Sequence, residues 1–64
     1  MRISLKAARI NANLTQEELA AAVNVNKKTV AAWENGKSLP KADKIDEICQ
    51  AVNMPYDNIQ WQQV

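Results

Sequence analysis

The segment LTQEELAAAVNVNKKTVAAWENGKSLP, residues 14–40, places two helix starts within one short stretch and leaves only Asn24-Val25-Asn26 to connect the helices. The first start is Thr15-Gln16-Glu17-Glu18. A threonine at the cap and a glutamate three residues on satisfy each other's backbone N–H groups, the capping-box arrangement. Leu14 and Leu19 flank it at the spacing of a hydrophobic staple, and two acids suit the positive end of the helix dipole. The second start is Asn26, a good cap, with Val25 and Val30 repeating the staple. Two helices joined this closely must cross sharply.

Breaks elsewhere divide the chain into further helix-length pieces. Asparagine recurs at them, at Asn13, Asn24 and Asn53, and the one glycine, Gly36, follows Asn35. Asparagine enters the left-handed conformation more cheaply than other non-glycine residues, so all three asparagines are expected to end helices. A helix is expected over 4–12, with Leu5, Ala8 and Ala12 on one face. Another is expected over 41–52, with Ala42, Ile45, Ile48, Cys49 and Val52 as its apolar stripe. A short fifth is expected over 56–61, with Ile59 inward. Nothing alternates as a strand. The expectation is an all-α fold, a compact bundle of four to five short helices, with residues 1–64 as one domain.

Several function classes lose support. The chain has no histidine, which removes the commonest general base and metal ligand. Its one cysteine, Cys49, excludes an internal disulfide framework and reads as a buried small hydrophobe on the helix stripe. Met1 to Lys6 has no apolar run of a signal peptide, and no stretch approaches the ~18 apolar residues of a membrane span. The expectation is a cytoplasmic protein, not an enzyme, with no cofactor, metal, small-molecule ligand or membrane partner.

The net charge of +1 conceals an asymmetry. Residues 24–42 carry four lysines against Glu34, whereas residues 43–64 carry Lys44 against Asp43, Asp46, Glu47 and Asp57. Lys27 and Lys28 stand in the first turn of the third helix, where the dipole mildly repels cations. Two readings stand side by side: ordinary solvated lysines, or lysines kept because phosphates or guanine edges compensate them. In a helix-turn-helix, the second helix enters the major groove by its N-terminal end, which favours the second reading. Ala31 and Ala32 keep the face low, and a methyl there can touch a thymine methyl.

Leu-Thr-Gln-x-x-Leu-Ala, the short turn and Glu-Asn-Gly-Lys-x-x-Pro together resemble the Cro/C1-type, or XRE-like, helix-turn-helix family of phage repressors and bacterial regulators. The similar stretch runs from about Leu5 to Ile59. Asn13, Asn24 and Asn53 stand where that family commonly has glycine. The resemblance implies a lambda-repressor-like domain that binds double-stranded DNA as a homodimer on a palindromic operator. It also implies roles. Lys27, Lys28, Ala32 and Gln16 match base-reading positions, Gln16 also matching a phosphate contact. Two lysines and an alanine stand where relatives carry glutamine, which implies a preference for guanine. Asn26, Thr29, Lys37, Ser38 and Lys41 match phosphate-contacting positions. Arg9 and Glu34 match a partly buried ion pair; whether Arg9 also reaches phosphate stays open. Tyr56, Ile59 and Trp61 are candidates for the dimer surface, with packing onto the core as the alternative for each. Transcriptional repression or Cro-like switching is the expected function, controlled through concentration, partners or competition for sites because no sensor domain is expected. A protein-interaction module of the same fold, of antitoxin or anti-repressor type, is the alternative.

Overall fold

Each of the first three helices begins where a side chain caps it. In the computed structural model, which describes residues 1–62, Ser4 caps α1 (Leu5–Asn11) by accepting from the Ala7 N–H at 3.0 Å. Thr15 caps α2 (Gln16–Ala22) with both halves of the box present. Its Oγ1 accepts from the Glu18 N–H at 3.0 Å, and its own N–H donates to Glu18 Oε1 at 2.9 Å. Asn26 precedes α3 (Lys27–Glu34) and accepts more distantly, at 3.5 Å, from the Lys28 N–H. The fourth helix, α4 (Ala42–Val52), starts after Lys41 with no side-chain cap.

The left-handed residues fall where the breaks are expected. Asn13, Asn24 and Asn53 have φ of 61°, 57° and 57°, and Gly36 has 73°. Asn24 turns the chain out of α2 while its N–H still donates to Ala21 and that of Val25 to Ala20. Four residues, Val23 to Asn26, thus separate α2 from α3. The four helices share one core of Leu5, Ala8, Leu19, Ala20, Val23, Val30, Trp33, Ile48 and Val52, which Ile59 completes. Val30 and Trp33, three apart, are the apolar face of α3.

Three sequence expectations need correction. The fifth helix over 56–61 is instead one 3₁₀ turn, Tyr56–Asn58, followed by an extended pair, Ile59–Gln60. That pair (β2) lies parallel to Ile3–Ser4 (β1), in the register Ile3 to Ile59 and Ser4 to Gln60. Extension at Ile59 (φ −112°, ψ 132°) gives its backbone a partner strand and still buries its side chain. Two residues are too few for alternation to register in a sequence. Second, Ala42 is exposed, because the first residue of α4 projects beyond the core. Third, Cys49 is only half-buried; it packs against the core edge, and burial, with a smaller contribution from Asp46, pushes its thiol pKa up.

The left-handed geometry at Asn53 generates a prediction. Asn53→Ala should lower stability by about 1–2 kcal/mol, the cost of that conformation for an ordinary residue. Asn53→Gly should stay within about 0.5 kcal/mol of the parent. Urea unfolding of the three proteins measures both.

Candidate nucleic-acid interface

The core face of α3 leaves the opposite side outward. Asn26, Lys27 and Lys28 are exposed, and Thr29, Ala31 and Ala32 are half-buried. Among the described residues, the ion pairs are Arg9 with Glu34 and Lys44 with Glu47, so neither Lys27 nor Lys28 has a carboxylate partner. Their ammonium groups stand in the first turn of a helix whose dipole disfavours them. Behind them stand the small, half-buried Ala31 and Ala32.

Past the other end of α3 lies a second basic group. The Lys37 N–H closes the helix on Ala32 at 2.9 Å, and Gly36 turns the chain into the loop. Lys37, Ser38 and Lys41 are exposed on that loop, while Pro40 between them is buried and anchors it. The two basic groups are separated by the length of α3, roughly 12 Å at 1.5 Å per residue.

Arg9 and Glu34 hold this arrangement from inside. Arg9 Nε donates to Glu34 Oε2 at 2.6 Å and Nη2 to Oε1 at 3.3 Å. The third donor, Nη1, reaches the Leu14 carbonyl at 2.8 Å. Both side chains are nearly enclosed, at 9% and 3% exposure. Glu34 Oε1 also accepts from Gln16 Nε2 at 3.0 Å. A carboxylate offers only acceptors, so this contact fixes which way the Gln16 amide points: nitrogen inward. One amide N–H and the Gln16 carbonyl oxygen remain for other partners. Nothing in the sequence signals the Gln16–Glu34 contact, which joins residues 18 positions apart.

The three dimer-surface candidates separate. Ile59 is 1% exposed and belongs to the core, because its strand pairing turns it inward; it is removed from that set. Tyr56 is exposed and Trp61 half-buried. Their rings stack with centroids 5.8 Å apart, and the indole N–H donates to the Tyr56 carbonyl at 3.2 Å. Together with Leu39 they line an open groove beside the basic loop.

A box-capped helix, a four-residue turn and a second helix with its basic end outward make a helix-turn-helix unit. The family model described as helix-turn-helix matches residues 5–59. The chain belongs to the Cro/C1-type helix-turn-helix family. It is 36% identical over 56 residues to the antitoxin PezA of Streptococcus pneumoniae, and 37% identical over 60 residues to the type II methyltransferase M1.ScrFI of Lactococcus lactis subsp. cremoris. Each match takes in 88% of this chain. The chain spans only 35% of the antitoxin and 15% of the methyltransferase. It is also 33% identical over 61 residues to the uncharacterized HTH-type transcriptional regulator YgzD of Bacillus subtilis, covering 95% of this chain and 92% of that one.

The enclosed ion pair generates a second prediction. Arg9→Met or Glu34→Leu alone should cost about 3–5 kcal/mol, because each strands the partner's charge. The double variant should cost clearly less than the two losses added. A double-mutant cycle in urea measures the difference.

Proposed function

We propose that this chain binds double-stranded DNA sequence-specifically and regulates transcription by occupying a promoter. In this reading α3 enters the major groove by its N-terminal end. The observation that carries it is the exposed first turn of α3, where two ammonium groups oppose their own helix dipole with no carboxylate partner among the described residues. Phosphates and guanine edges supply the compensation the chain does not.

The roles follow from position. Lys27 and Lys28 donate to guanine O6 or N7, and Ala32 offers a methyl to thymine. Gln16, its nitrogen held by Glu34, presents its carbonyl oxygen and remaining N–H at the start of α2. Asn26, Thr29, Lys37, Ser38 and Lys41 hold backbone phosphate. A homodimer would place two such helices about 34 Å apart on a palindromic operator. Tyr56 and Trp61 are its proposed contact surface. The protein is proposed to act in the cytoplasm, and no helix among the described residues is long and apolar enough to cross a membrane. Catalysis is not part of the proposal, since the methyltransferase match reaches only 15% of that enzyme.

The similarity to an antitoxin favours one second reading, a module whose main partner is another protein. Selection of bound duplexes from a random library, followed by salt titration, separates the two. DNA binding predicts an enriched, roughly palindromic sequence and an affinity that falls steeply as salt rises. A flat response below ~100 mM salt, with no enriched sequence, would favour the protein partner. Lys27→Ala should relax base preference at one position by about 1–3 kcal/mol. Lys37→Ala should weaken all duplexes alike and reduce the salt slope by about 1.

A further inference from the structure

Lys44 also stands in the first turn of its helix, surrounded in sequence by Asp43, Asp46 and Glu47. Unlike Lys27 and Lys28, it has side-chain partners among the described residues. Its ammonium donates to the Val23 carbonyl at 2.8 Å and approaches Glu47 Oε2 at 3.5 Å. Val23 is the C-cap of α2 and the first residue of the turn that leads into α3. The last carbonyls of a helix have no partner in their own ladder, and a cation there meets the negative end of the dipole. The lysine side chain is a quarter exposed, and its contact with Val23 is part-buried.

We propose that Lys44 is a positioning residue of the DNA-binding unit: it ties the turn to α4 and so fixes the direction in which α3 leaves it. The inference rests on the DNA-binding reading but assigns Lys44 no contact with DNA. Two observations support it. The turn's restraints are uneven: Val23 is buried and the Val25 N–H donates to Ala20 at 2.9 Å, but the bond from the exposed, left-handed Asn24 to Ala21 is 3.3 Å long and the Asn26 cap contact is 3.5 Å. The side chain also bridges residues 21 positions apart, joining an element outside the helix pair to the junction inside it. Base contacts need the helix at one angle, whereas phosphate contacts tolerate several. Loosening the junction therefore costs specific binding more than nonspecific binding.

Lys44→Met keeps the aliphatic stem and removes the ammonium, and Lys44→Arg restores a cation. Three quantities are read: affinity for a selected duplex and for random duplex, the salt slope on random duplex, and amide exchange of the free protein at Asn24 and Val25. For Lys44→Met, affinity for the selected duplex should fall about tenfold, with random-duplex affinity and salt slope unchanged. Exchange at the two turn amides should speed up about tenfold, beyond that of the α4 amides. Lys44→Arg should recover most of both. Equal losses on both duplexes, or exchange raised evenly through all helices, would overturn the proposal in favour of general stabilisation. A salt slope reduced by about 1 would overturn it by making Lys44 a phosphate contact. Unchanged affinity and exchange would overturn it outright. A parent protein that selects no duplex overturns the DNA reading instead; the exchange measurement then still decides whether Lys44 holds the turn.

Discussion

Arg9 spends every nitrogen of its guanidinium on another element. Nε and Nη2 bind Glu34 at the end of α3, and Nη1 binds the Leu14 carbonyl just before α2. Glu34 passes the connection to Gln16 in the first turn of α2. A buried pair of charges is tolerable only when hydrogen bonds satisfy what the pair itself does not. That condition holds here: among the described residues, no buried side-chain nitrogen or oxygen lacks a partner. The consequence is directional. With Val30 and Trp33 in the core and Glu34 fastened at its C-terminal end, α3 can present only its N-terminal turn and outer side to a partner.

Charge at the helix starts then distinguishes the elements. The first turn of α2 carries Glu17 and Glu18, which its dipole favours. The first turn of α4 carries Asp43, and the lysine beside it turns to the Val23 carbonyl and Glu47. Only α3 begins with two cations that find no carboxylate among the described residues. Lys6 in the first turn of α1 and Lys41 at the N-cap of α4 are single exposed cations at helix starts, so it is the pairing of Lys27 with Lys28 that sets α3 apart. That pair lies on the side that the buried ion pair leaves outward, and the proposed DNA-binding reading rests on this coincidence.

Local interactions were the legible ones. Thr15, Glu18 and Asn26 announce helix starts because capping needs particular side chains within three residues of each other. Asn13, Asn24 and Asn53 announce helix ends because few residues take positive φ cheaply. Contacts between distant residues were not legible from such patterns. Arg9 and Glu34, 25 positions apart, are matched only through the family resemblance. The contacts of Gln16 with Glu34 and of Lys44 with Val23 carry no sequence signal, since each depends on how helices cross. The β1–β2 pairing hid for another reason: Ile59 is apolar and inward in a helix or a strand alike, so its burial was foreseeable and its backbone conformation was not.

The direct measurement is amide chemical-shift mapping of the protein as a selected duplex is added. The account predicts that the largest shifts fall on residues 26–32 and 37–41 and on Gln16, with the outer face of α4 nearly silent. Shifts concentrated on α4 and around Tyr56, with the first turn of α3 unmoved, would contradict it.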